Sequence, residues 1–439
     1  MKLSILKYLG RIVALGFLGS SLLIQNSSAQ FIMDDFTDTT KHQSALFAIY
    51  KQSDRLRFSG YIQPQFQIAQ SKGAPSYNGG DFPEGVNNRF MIRRGRIRFD
   101  YSHFNKKGQQ TVFFVFQFDG TERGVFIRDF FGQFYENKWG LLNFTTGIFP
   151  RPFGYEVNLS SASRESPERG RMSQILMRTE RDLGARVSFE AQEDDHPLDF
   201  LRVDLGVFNG QGLTATTDFD SHKDLIGRVM LKPRLVWPKV VVSAGTSVLY
   251  GGMEQFTNEI YRMERGGYRL DTSPANIGKI APRHYYGGDI QIKFLSERAG
   301  TEFRAEYISG TQTSTRTTSE TPGEIPELNN GQRAPLFIRP FNGAYFYFLQ
   351  TLFRPEHQLV LKYDWYDPNT GVAGSGIGEG YTGADVAFRT LGMGYNYYAT
   401  DNLRFLLYYD IVKNEKTALE GYRQDLRDNI FTMRVQYSF

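Results

Sequence analysis

Residues 93–100 read RRGRIRFD, and an extended strand would set Arg94, Arg96, Arg98 and Asp100 on one face and Ile97, Phe99 and Tyr101 on the other. Residues two apart on a strand lie roughly 6.8 Å from each other, inside the screening length of about 8 Å at physiological salt, so three such guanidinium groups act as one rail for small anions. Register counted from the loop ends sets Arg96 and Arg98 beside Gln63 and Tyr61 on the preceding strand and beside Gln117 and Val115 on the following one. Arg94 then meets Asp119, which predicts one paired and two unpaired arginines. The competing reading is that carboxylates of neighbouring strands or long loops neutralise all three.

A second basic group lies in the long stretch 150–182, where Arg151, Arg164, Arg169, Arg171, Arg178 and Arg181 accompany Glu156, Glu165, Glu168, Glu180 and Asp182. Structureless connections of this length in a compact unit are functional or disordered. Folded into a barrel, this one narrows the lumen with an arginine-rich ring that favours anions; the alternative is a solvated outer patch.

Both groups need a wall to hold them. Period-two alternation is clearest at 56–69, where Leu56, Phe58, Ile62, Phe66 and Ile68 oppose Arg57, Ser59, Tyr61, Gln63, Gln65 and Gln67. Comparable runs recur along the chain and predict about sixteen strands, uncertain by two. Short turns (NKKG, ENKWG, LVWP, LSERAG, RPEH, ATDN) alternate with long segments, notably 150–182, 251–283 and 310–340. That asymmetry predicts a transmembrane antiparallel up-and-down β-barrel over 56–439, with the third long loop inside it and both termini at the short-turn end. The final FTMRVQYSF repeats the alternation, with Phe431, Met433, Val435, Tyr437 and Phe439 on the lipid side, and Phe439 is expected to guide assembly. A soluble β-sandwich requires neither feature.

The first 29 residues combine a basic head (Lys2, Lys7, Arg11), an apolar run and a small-residue site at Ser27, Ser28 and Ala29, which reads as an export signal. Residues 30–55 are expected to form a periplasmic segment with a short helix near 45–50. Without Lys2, Lys7 and Arg11 the chain has 48 basic against 47 acidic residues, about +1, so selectivity must come from placement along the pore. There is no cysteine, which excludes disulfides, thiolate metal sites and lipid acylation. The 37 Phe and 25 Tyr suit lipid-facing strands. The six histidines have no metal-ligand spacing, and GxSxG, HExxH and GxxxxGK[ST] motifs do not occur, so neither catalysis nor a cofactor is expected. An arginine row inside a barrel is closed to nucleic acid. A non-conducting adhesive barrel and a general or sugar pore remain as alternatives, the latter using Tyr61, Phe113 and Tyr366 as an inward aromatic slide.

RRGRIRFD, FIRDFFGQFYEN, TGIFPRPFGYEVNLSS, RDLGARVSF, LGVFNGQG and LGMGYNYYATDNLRFLLYYD, in that order and with the terminal aromatic, resemble the phosphate- and polyphosphate-selective porins of Gram-negative outer membranes, the porin O and P family. The resemblance implies a sixteen-stranded barrel, a homotrimer, an inward third loop and an arginine-lined path for phosphate. It carries over most directly to Arg94 and Arg96, less so to Arg98, and to the loop arginines only as a group. The chain departs from a strongly basic pore where Glu302 and Glu306 flank Arg304 and Asp364 accompanies Lys362.

Overall fold

The computed structural model describes residues 55–193, 196–215, 217–296 and 299–439. The expected export signal and the short helix near 45–50 lie outside the described residues.

The first nine strands are β1 (Leu56–Ala69), β2 (Asn88–Phe104), β3 (Gln110–Thr121), β4 (Gly124–Tyr135), β5 (Leu142–Pro150), β6 (Arg181–Glu190), β7 (Leu201–Phe208), β8 (Asp224–Trp237) and β9 (Val240–Glu254). A hairpin of β10 (Glu259–Glu264) and β11 (Gly267–Thr272) follows. The wall then continues through β12 (Ile280–Phe294), β13 (Thr301–Ser314), β14 (Leu336–Thr351), β15 (His357–Asp367), β16 (Phe388–Thr400), β17 (Leu403–Asn414) and β18 (Ile430–Ser438). Because β9 pairs with β12, the hairpin stands outside the wall, and sixteen antiparallel strands remain among the described residues. β1 pairs with β2 on one edge and β18 on the other, so the barrel is closed.

Closure satisfies the backbone, because an open edge in hydrocarbon would leave unpaired N–H and C=O groups that each cost several kcal/mol. At the seam Gly60 and Phe439 exchange both backbone hydrogen bonds at 2.9 Å, and the Phe439 ring packs 5.4 Å from that of Phe58. A β-carbon on Gly60 would lie 2.5 Å from the Phe439 ring, so the terminal aromatic requires glycine there.

The packing is inverted relative to a soluble protein. Phe58, Phe99, Phe116, Phe130, Leu231 and Met433 are exposed on the outer face, while Gln63, Gln65, Gln67, Gln117 and Arg96 are buried inside. An outer apolar band over a polar interior is what alternating strands produce in a lipid bilayer.

Two expectations need correction. The segment 251–283 is not one open loop: it holds the end of β9, the hairpin and the start of β12. The hairpin is fixed by stacking of Tyr261 on Phe337 at 4.4 Å and by a 2.5 Å hydrogen bond from Tyr268 to Asp385. The alternation of connection lengths also has an exception, since β3 and β4 reverse tightly at Glu122 and Arg123 on the long-loop end.

Candidate functional site

The third long loop, 151–180, folds into the barrel and is bonded to strands on several sides. Its entry explains the PFGYE sequence. Gly154 has φ +68°, and a β-carbon there would meet the Glu306 carboxylate at 2.2 Å. Glu306 in turn accepts from the backbone N–H groups of Tyr155 (3.1 Å) and Glu156 (3.0 Å). The fully buried Glu156 then accepts from Gly170 N–H (2.9 Å), the Ser173 hydroxyl (2.6 Å) and the Tyr347 hydroxyl (3.0 Å). Beyond this staple runs one short helix, α1 (Arg171–Leu176).

On the β1, β2 and β18 side the loop brings Glu168 to a knot of guanidinium groups. Arg94 holds its carboxylate in a fork at 2.6 and 3.1 Å. Arg93 adds a second fork at 2.8 and 3.1 Å. Arg434 reaches it at 3.1 Å and Arg164 at 3.9 Å, so four cations surround one anion. Burial alone would raise the Glu168 pKa, but Arg93, Arg94 and Arg434 outweigh it and hold it well below the ordinary carboxylate range. Burial, reinforced by the charge of Arg94, lowers Arg164 to about 10, which leaves it a cation at neutral pH.

Arg93 reaches this knot because β2 carries a bulge. Gln63 pairs with Arg94 and Pro64 with Ile92, leaving Arg93 without a partner and turned inward beside its neighbour. β4 does the same: Gln117 pairs with Asp129 and Phe118 with Ile127, so Arg128 is the extra residue. Arg128 and Arg169 both contact Glu180, at 3.0 and 3.1 Å, while Arg181 pairs with Asp129 at 2.8 Å. Glu180, which burial would push up, is held well below its ordinary range by Arg128, Arg169 and Arg181.

The observed pairing also overturns the expected register. Arg96 lies opposite Tyr61 and Asp119, and Arg98 opposite Ser59 and Gln117, a displacement of two residues on both sides. Arg94 therefore does not meet Asp119; Arg96 does, at 3.0 Å. Arg98 bonds Asp100 at 2.7 Å along its own strand. All three arginines of the expected rail are ion-paired, which corrects the prediction that two stand free.

The opposite side of the loop is acidic. Arg304, fully buried, is held by both Glu165 and Glu302, the former through two 2.9 Å bonds. Lys362 lies 3.6 Å from both Glu156 and Asp364. With Glu306 this seam has five carboxylates for two cations.

A cavity of about 940 Å³ opens beside the loop on the basic side. Arg94, Arg96, Arg169 and Arg171 line it together with Arg93, Arg128 and Arg178, whereas Arg98, Arg151 and Arg164 do not. Arg151 is a buried brace at the neck of the loop, donating to the carbonyls of Thr179 and Gly210. Of the seam carboxylates Glu156, Glu165, Glu302, Glu306 and Asp364, none lines this cavity. Tyr61 and Phe113 face inward but are buried and offer no open slide; the Tyr61 hydroxyl lies 2.6 Å from that of Ser161 and so holds the loop, and Tyr366 borders the cavity.

Comparison with known proteins locates the fold. No protein-family model matches the chain, and no curated protein does. Among solved structures, the outer membrane channel DcaP of Acinetobacter baumannii is similar with a TM-score of 0.52 at 13% identity, over 88% of this chain and 97% of that one. A loop-L8 deletion mutant of OmpT, an outer membrane protein of Vibrio cholerae, gives 0.50 at 10% identity over 88% and 99%. An anion-selective porin from Comamonas acidovorans gives 0.49 at 8% identity, covering 88% of this chain. The fold is that of an outer-membrane β-barrel. Its apolar outer band suits a lipid bilayer.

Proposed function

We propose that this barrel is a porin for passive diffusion of small anions, with phosphate or polyphosphate as the solute class implied by the motif resemblance. One observation carries the reading: seven arginines line the cavity against six carboxylates (Asp81, Asp119, Glu168, Glu180, Glu320 and Asp428), and Arg164 and Arg434 add to the Glu168 knot from behind the wall, so positive charge stays in excess. At separations of a few ångströms in a partly desolvated lumen, such an excess is not screened away by salt. The cavity-lining arginines Arg94, Arg96, Arg169 and Arg171 are the proposed path; Arg98, Arg151 and Arg164 act through the wall and loop that hold it. The solved neighbour described as an outer membrane channel supports a conducting barrel. A homotrimer, recognition of Phe439 by the barrel-assembly machinery, and cleavage after residue 29 belong to the same proposal and rest on sequence.

The test is planar-bilayer recording. The protein is expected to give discrete conductance steps, in groups of three for a trimer, with chloride preferred over potassium and the chloride current reduced by phosphate. Absence of steps would leave a structural barrel, and conduction without ion preference a general solute pore.

A further inference from the structure

Six of the seven arginines lining the 940 Å³ cavity contact a carboxylate: Arg93 and Arg94 share Glu168, Arg128 and Arg169 share Glu180, Arg96 has Asp119 and Arg178 has Glu320. Arg171 donates its backbone N–H to Asp364 at 3.2 Å, but its guanidinium has no carboxylate partner among the described residues. Its guanidinium carbon lies 3.7 Å from the centre of the Phe388 ring and 4.6 Å from that of Tyr77. Rings hold a guanidinium by its face, which leaves the planar fork of N–H donors at its edge unspent. No side-chain atom of the described residues accepts from that fork.

A second observation points the same way. Asp428 lines the same cavity, is buried, and has an oxygen without a hydrogen-bond partner among the described residues. It is close enough to Arg171 to feel its charge yet forms no ion pair with it. The neighbourhood thus holds a free donor fork and an unsatisfied acceptor. Around them Tyr77, Phe388 and Tyr422 are only half-buried, and the Phe388 and Tyr422 rings meet edge to face at 6.4 Å.

We propose that Arg171 and its aromatic surround form a binding site for an organic oxyanion, a carboxylate or phosphate head on an apolar body with a hydrogen-bond donor of its own. The fork takes the head in two parallel charge-assisted bonds, as guanidinium groups take planar oxyanions. The half-buried rings take the body, and Asp428 takes the donor. The volume suits such a solute, since small-molecule pockets span roughly 300–1,000 Å³. Bare inorganic phosphate would use the fork and leave the rings uncovered. The Glu168 knot is a poorer first site, because an incoming anion must displace a carboxylate already held by two forks.

The proposal rests on the anion-path reading, and one experiment separates the two. Block of chloride current in planar bilayers is measured with 4-hydroxybenzoate, acetate and inorganic phosphate at neutral pH. Half-block by 4-hydroxybenzoate is expected at a concentration about tenfold below that of acetate or phosphate, and Arg171→Lys is expected to raise it about tenfold by removing the planar fork. Phe388→Leu, a milder change, is expected to bring 4-hydroxybenzoate and acetate together. Equal potency of the three anions in the native protein, or potency unchanged in both variants, overturns this site while leaving the porin intact. Cation preference of the native channel overturns the anion path and this site with it.

Discussion

The two sides of the third loop use the same chemistry with opposite balance. Toward β1, β2 and β18 the loop offers one carboxylate, Glu168, to four arginines. Toward β13 and β15 it meets five carboxylates, matched by Arg304 and Lys362 within the seam and by the charge of Arg228 near Glu306. Near-neutral total charge conceals this separation. What distinguishes the sides functionally is access: the wall of the 940 Å³ cavity carries seven arginines against six carboxylates, and the five seam carboxylates are not among them. A charge sealed behind packed loop contributes to holding the loop, whereas one on the cavity wall acts on a permeating ion. The acidic residues that argued against a basic pore in the sequence are therefore the loop's mooring.

The largest effect should come from removing the centre of the knot. Glu168→Ala leaves four clustered arginines without their shared carboxylate, and breaking a buried pair in this way costs about 3–5 kcal/mol. The loop should detach on that side, seen as a larger and noisier single-channel conductance and faster proteolysis between residues 160 and 180. On the acidic side Glu165→Gln should be milder, about 1–3 kcal/mol, because Arg304 keeps Glu302 and an amide can still accept one bond. Equal effects from the two substitutions would remove the asymmetry.

A smaller effect concerns the bulges. Arg128→Ala leaves Glu180 with Arg169 and Arg181, so the barrel should fold, with stability lowered by roughly 1–2 kcal/mol and anion preference reduced. Retention of full selectivity would show that the extra β4 residue serves the wall's shape alone.

The smallest expected effect is a pH dependence. Burial raises the pKa of Asp428 to about 6, against the lowering influence of Arg171. Protonation as pH falls through that value removes one negative charge from the cavity, so anion preference should rise between pH 7.5 and 5.5. Asp428→Asn should abolish that rise and show the stronger preference throughout.

Much of the wall could be read from alternation: β1 begins and ends at Leu56 and Ala69 as expected, and Arg94, Arg96 and Arg434 face inward as the pleat dictates. The site was less legible because two single-residue bulges break the period on which such reading depends. Arg93 sits at an outward position under strict alternation, and so does Arg128 beside the inward Asp129. Adjacent charged residues within otherwise alternating strands were the available signal, since both can face the lumen only through a bulge. Glu168 could not be singled out among the loop acids, because its role depends on how the loop crosses the barrel. Arg171 was visible as a loop arginine, but its aromatic setting joins Tyr77 and Tyr422 from two distant loops with Phe388 at the start of β16.

The most direct test of the asymmetry is reversal potential across a potassium chloride gradient for the native protein, for Arg94→Gln with Arg128→Gln, and for Glu302→Gln with Asp364→Asn. Native channels should prefer chloride, the arginine pair should lose much of that preference, and the seam pair should retain it. A selectivity shift from the seam pair as large as that from the arginine pair would contradict the account.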